Sequence, residues 1–226
     1  MRSPTMFTPA ARSMIALTAI TAWLALGLQL FILIDNIPEN GMTVMQAIAR
    51  FFLFFTVLSN LLVAISFTIL LWRPGSEAGR FFSKPSNIAA ITLYIFIVGL
   101  VYNLVLRSQW KPAGSQRIAD ELLHVAVPLL TLIYWIFFAP KTKLPWKTII
   151  PWLGFPAVYL VYALLRGTAE GFYAYFFLDL KKYSGGKVAI NCGLVLIAFV
   201  VIGLLLIAYS RSVKKKDQTS IFVKTS

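Results

Sequence analysis

Six apolar runs, each close to the thickness of a bilayer's hydrocarbon core, restrict this chain more than any other feature of its sequence. In lipid no water can satisfy backbone N–H and C=O groups, so runs of this kind must be helices. At 1.5 Å per residue, about 20 residues cross the core. The runs lie at 13–34, 43–72, 87–106, 122–138, 149–165 and 188–209. Charged residues make up 13% of the chain, about half the share of an ordinary soluble domain. The predicted fold is all-α: a polytopic membrane protein with a single six-helix transmembrane domain over 1–210, followed by a basic tail over 211–226.

The second run is longer than a bilayer requires, so it tilts or begins as an interfacial turn, with Arg50 near its outer end free to snorkel to the headgroups. The first run follows Arg2 and Arg12 as a signal peptide would. Its apolar length exceeds a usual signal core, and 35–41 (DNIPENG) offers no small-x-small cleavage site, so it is read as a retained span.

A net charge of +13 would suggest nucleic acid in a soluble protein, but the placement of the basic residues points to topology. Arg2 and Arg12, then Arg73, Arg80 and Lys84, then Lys141, Lys143 and Lys147 mark alternate connections, and the tail adds Arg211, Lys214, Lys215, Lys216 and Lys224. The opposite side carries Arg107, Lys111, Arg117, Arg166, Lys181, Lys182 and Lys187. The positive-inside rule then puts both termini in the cytoplasm. The tail reads as a topological anchor attracted to anionic lipid, with a frayed end over 217–226. The expected location is a bacterial inner membrane.

One cysteine, Cys192, excludes a disulfide framework within the chain. With a single histidine beside it, zinc or iron–sulfur ligation is not expected, and no phosphate-binding loop is present, so no metal or nucleotide cofactor is implied. There is no internal repeat, no nucleic-acid-binding pattern and no sign of an obligate protein partner. The expected partners are membrane lipids and a lipid substrate.

That histidine, His124, lies just inside the fourth run (LLHVAVPLLTLIYWIFF), directly after Asp120 and Glu121. An ionisable side chain there is costly and reads by default as functional, the alternative being a structural histidine bonded between helices. Asp120, His124, Pro128 and Thr131 share one helical face. In the second run Thr56, Ser59 and Asn60 do the same, the one polar patch in an otherwise apolar helix. A lone threonine in such a helix ordinarily bonds its own i−4 carbonyl. The two spans run in the same direction, so Thr56 and His124 share a depth in the outer half of the membrane if the second helix begins above the lipid.

A hydroxyl facing an imidazole is the minimal equipment for nucleophilic catalysis. The threonine needs a base to take its proton, and His124 could remove it and later return it to the leaving group. Asp120, one turn earlier, could orient the ring, and Asn60 could donate its amide to a developing oxyanion. The longest polar connection, 166–187, mixes Phe172, Tyr173, Tyr175 and Phe176 with glycines and Asp179. It is either an interfacial aromatic belt or a lid folded back over a cavity.

Three stretches resemble the androgen-induced and androgen-dependent membrane proteins of animals and their six-span bacterial relatives. FFTVLSNLL (54–62) sets Thr56 in an aromatic-Thr-aliphatic context, ELLHVAVPLLTL (121–132) sets His124 a turn before a proline, and GFYAYFFLDLKKYSGG (171–186) is similar to the family's aromatic loop. Phe176 stands where the family often has proline, and His124 precedes Pro128 by four residues rather than five. The resemblance extends to span number and order. It implies an intramembrane hydrolase of fatty acid esters of hydroxy fatty acids, with Thr56 as nucleophile and His124 as base. The roles for Asp120 and Asn60 come from spacing alone. The rival expectation is a non-catalytic lipid- or small-molecule-binding protein or transporter that uses His124 and Asp120 as a polar gate. The absence of an inverted repeat or a broken helix weakens its transporter form.

Overall fold

A computed structural model describes residues 7–213. Arg2 and the tail lysines Lys214, Lys215, Lys216 and Lys224, with the end expected to fray, lie outside the described residues. Six helices are long and apolar enough to cross a membrane: α1 (Pro9–Asp35), α2 (Phe55–Trp72), α3 (Pro85–Leu106), α4 (Gly114–Phe137), α5 (Trp146–Glu170) and α6 (Gly185–Ser212). No strand occurs among the described residues. This is the all-helical architecture of a multi-pass membrane protein.

Helices α1 to α4 form the packed core. One stripe of α1, Ala11, Ile15, Thr18, Ala22 and Ala25, is fully buried, and its small residues let the helix lie close against α2. The Trp23 indole adds a hydrogen bond to Thr68 Oγ1 across that seam, 3.0 Å long. α3 packs against α2, α4 and α6 and is buried almost all round between Ile88 and Gly99. Helices α5 and α6 are peripheral: Val158, Val161 and Leu165 on one, and Leu194, Ile197 and Leu205 on the other, are exposed. Exposed aliphatic faces of this kind suit a hydrocarbon environment rather than water.

The long second run is two helices. Thr43 opens the first, Val44–Phe51, with a capping box: its hydroxyl accepts from Gln46 N–H while Gln46 Oε1 accepts from Thr43 N–H. Phe54 is then extended (φ −89°, ψ 129°), and α2 begins at Phe55. An uninterrupted apolar stretch conceals this break, because hydropathy reads composition and the interruption lies in the backbone. The expected absence of a broken helix, which counted against a transporter, therefore does not hold for the second run. The helix ends also run further than hydropathy indicates. α4 starts at Gly114, eight residues before the apolar run, through a polar first turn. α5 continues to Glu170 and stops at Gly171, whose φ of +68° favours a residue without a Cβ.

Thr56 therefore sits at the same end of the bundle as the C-terminal ends of α1, α3 and α5. At the other end the buried Lys141 donates to the carbonyls of Trp135, Ile136 and Ala139 and so satisfies the last turn of α4. Ser210 and Arg211 of α6 bond the Thr142 and Leu144 carbonyls, each at 2.8 Å, and fasten that loop to the final span.

Candidate active site

Because α2 starts at Phe55, Thr56 occupies its first turn, where backbone N–H groups have no carbonyl partner in their own helix. His124 comes from a π-helical turn of α4, Leu122–Ala126, in which Val127 N–H reaches Leu122 O. Such turns shift the register of the side chains around them and recur at functional sites. Pro128 follows, and its missing N–H leaves the His124 carbonyl without an i+4 donor. The Asn103 amide donates there instead, at 3.4 Å. Gly99 of α3 lies against the same carbonyl, where a Cβ would stand 3.0 Å from His124 O.

Thr56 Oγ1 lies 3.3 Å from His124 Nε2, and both side chains are buried. The expectation of a common depth for these two residues is met geometrically, with the broken second run bringing the hydroxyl to the histidine. The other ring nitrogen, Nδ1, is 2.9 Å from the Asp120 carbonyl oxygen. A carbonyl can only accept, so Nδ1 carries the proton and Nε2 presents a lone pair to the threonine hydroxyl. The Tyr102 ring stacks on the imidazole, with centroids 3.9 Å apart and planes 12° from parallel, which holds its plane. Tyr102 itself belongs to a π turn, Tyr102–Leu106, so two such turns face one another at this site.

Asp120 is beside His124 as the spacing predicts, but its backbone makes the short bond. The carboxylate lies 3.9 Å from Nδ1 and accepts instead from Trp110 Nε1 at 2.6 Å, Gln116 Nε2 at 3.3 Å and the Tyr102 hydroxyl at 3.4 Å. Asn60 is also differently employed from the expected oxyanion donor. Its amide nitrogen donates to Thr56 O at 2.8 Å and Leu123 O at 3.3 Å, pinning α2 to α4. Among the described residues its side-chain oxygen, buried, has no hydrogen-bond partner.

The connection between α5 and α6 folds back over the start of α2. Phe172 and Tyr175 meet Phe54 edge to face, Arg50 lies 4.0 Å above the Phe172 ring, and Gly167 leaves room for the Tyr173 ring. Asn191 of α6 holds the segment by donating to Phe177 O at 2.8 Å. The Tyr175 hydroxyl is thereby placed 3.3 Å from Thr56 Oγ1 and 3.3 Å from Thr56 N. Burial raises the pKa of this phenol, which keeps its proton on oxygen. Its position depends on how a loop folds back, so helical spacing carries no signal for it.

Thr56 and Tyr175 form the polar end of a cavity of about 280 Å³. Its walls are apolar: Ile97, Val98 and Val101 of α3, Pro156, Ala157 and Leu160 of α5, and Val195, Leu196 and Phe199 of α6. The volume is near the lower limit of ordinary ligand pockets, about 300 Å³. Among the described residues no three His, Cys, Asp or Glu side chains gather into a metal-binding group. Comparisons with protein-family models, with curated proteins and with solved structures give no match.

Proposed function

We propose that this chain is an intramembrane hydrolase that cleaves a lipid ester, with Thr56 as nucleophile and His124 as general base. The observation that carries this reading is the Thr56 Oγ1–His124 Nε2 approach of 3.3 Å, with Nδ1 committed to the Asp120 carbonyl, at the end of an apolar cavity. As the hydroxyl proton passes to Nε2, Oγ1 bonds to the ester carbonyl carbon and the C=O pair moves onto oxygen. The tetrahedral species collapses when the C–O bond to the alcohol breaks and the imidazolium returns the proton to that alcohol. Water, deprotonated by the same nitrogen, then releases the acid from Thr56. The apolar walls suit a hydrocarbon chain. The resemblance of 54–62, 121–132 and 171–186 to the androgen-induced family names the ester as a fatty acid ester of a hydroxy fatty acid.

We further propose a bacterial inner membrane with both termini cytoplasmic, which puts the site in the outer half. The excess of Lys and Arg at the opposite end supports this. A tag in 35–41 should then be reached from outside intact cells. A tag there that is reached only after permeabilisation inverts the topology.

The decisive assay follows hydrolysis of a long-chain lipid ester by protein reconstituted in bilayer discs. Thr56→Ala and His124→Ala should each lower the rate by about 10²–10⁴ while the fold is kept, and Thr56→Ser should retain part of the activity. A fluorophosphonate should label Thr56. Undiminished hydrolysis in His124→Ala, or a label on another residue, would overturn the assignment of Thr56 and His124, and a wild-type protein inert to both ester and probe would favour a binding protein.

A further inference from the structure

The hydrogen bonds around Thr56 have a definite direction, because both ends of the chain are groups with one capability. At one end the Asp120 carbonyl only accepts, so His124 Nδ1 donates to it at 2.9 Å, and Nε2 accepts from the Thr56 hydroxyl at 3.3 Å. At the other end Thr56 N–H only donates, so the Tyr175 oxygen accepts from it at 3.3 Å. Tyr175 still has its proton, and Thr56 Oγ1, whose own proton is committed to His124, stands 3.3 Å away with a lone pair. Toward Oγ1 Tyr175 can then only be the donor, with the oxygen of Tyr159, whose own proton goes to Leu53 O, as the second acceptor beside it.

We propose that Tyr175 is a further catalytic residue, donating its hydroxyl hydrogen bond to the oxygen that carries negative charge during attack. The proposal rests on the reading of Thr56 as nucleophile. As the Thr56 proton passes to His124 Nε2, charge grows on Oγ1 and the Tyr175 O–H opposes it. When Oγ1 bonds to the carbonyl carbon, charge moves to the former carbonyl oxygen. Thr56 N–H and the Tyr175 O–H, both within reach of Oγ1, are then the nearest donors to that oxygen. Tyr175 keeps its proton throughout, so the proton balance stays with Thr56, His124 and the leaving alcohol. A dry, walled site strengthens such a bond compared with water. The tyrosine comes from the loop rather than from a spanning helix, so the catalytic set is complete only when 171–184 lies folded over α2.

Tyr175→Phe removes one oxygen and keeps the ring that meets Phe54 and Phe177. Its kcat for a long-chain ester should fall about 10²–10³-fold, as for loss of one oxyanion donor. KM should stay within about two-fold, since the interaction belongs to the transition state. Fluorophosphonate labelling of Thr56 should slow in parallel. Phe177→Leu, which loosens the stack without removing a hydroxyl, separates packing from chemistry: it should raise KM and leave kcat higher than Tyr175→Phe does. Full kcat in Tyr175→Phe with an inactive Thr56→Ala overturns the role of Tyr175 and leaves the hydrolase reading standing. Equal kcat losses in Tyr175→Phe and Phe177→Leu also overturn it, assigning Tyr175 to packing. A wild-type protein inert to both ester and probe overturns both proposals.

Discussion

The four-helix core and the outer pair are built on different rules. In the most apolar stretch of α3 67% of residues are buried, against 17% in α5 and 22% in α6. Core helices are also joined by polar pins gathered at the Thr56 end of the bundle: Asn60 to Leu123 O, Asn103 to His124 O and Gln116 to Gln29, the last at 2.9 Å. Of these only Asn60 is fully buried, where its bonds satisfy a polar group that would otherwise stand unpaired among apolar side chains. The outer pair is held mainly at its ends, by Ser210, Arg211 and Trp152, and by the Tyr159 hydroxyl on Leu53 O. Thr56 and His124 both belong to the core, whereas α5 and α6 supply much of the cavity wall. If Thr56 and His124 act as proposed, the pair stands on the more closely packed half, while Tyr175 and most of the cavity wall come from the half that is packed less.

Substitutions can break this contrast. The largest effect should come from Gly99→Ala, whose new Cβ presses on the His124 carbonyl and the Pro128 ring, neither of which can step aside. Overpacking of this sort costs about 1–3 kcal/mol, so thermal stability in detergent should fall and ester hydrolysis with it. Unchanged melting would show that α3 and α4 are less rigidly apposed than described. Asn60→Ala should come next, at about 1 kcal/mol for lost interhelical bonds. It should lower turnover as Thr56 drifts from His124, and a variant as active as wild type would remove the pin from the account.

On the less closely packed side, Gly193 lines the cavity with open space where a Cβ would point. Gly193→Phe should shift preference toward shorter acyl chains, measured as KM across a chain-length series, without slowing fluorophosphonate labelling of Thr56. The smallest effect belongs to Gly203→Ala, whose Cβ displaces the movable tip of Ile149, a cost offset by the roughly 1 kcal/mol by which alanine is favoured over glycine inside a helix. A large loss there would place α6 among the rigid elements.

Helix number was legible in the sequence because hydropathy averages over about 20 residues, a window that matches the spans. The helix starts were not, since Gly114–Glu121 is polar and continues as helix only because α4 projects beyond its apolar run. The threonine–histidine pair was legible because helical periodicity placed each on a polar face and topology ran the two spans in parallel. Asp120 shows the limit of that method. Spacing of i and i+4 brings the residue to the ring but cannot choose between its carboxylate and its carbonyl, and Trp110, ten residues upstream, takes the carboxylate. Asp120→Asn should accordingly keep most activity, because the carbonyl that holds Nδ1 is unchanged. Tyr175 was visible only as one aromatic in a loop, and which ring reaches Thr56 depends on the turn at Gly171 and on Asn191.

The interruption between Phe51 and Phe55 has an electrostatic consequence. A continuous helix from Val44 to Trp72 would bury Thr56 in mid-column, where the peptide dipoles before and after it cancel. With α2 starting afresh at Phe55, Thr56 stands at the positive end of an 18-residue column of aligned peptide units, equivalent to about half an elementary charge. That field favours negative charge on Thr56 Oγ1 over the neutral hydroxyl. Three residues of broken helix thus give a membrane-embedded threonine a fixed positive potential without placing a cation in lipid.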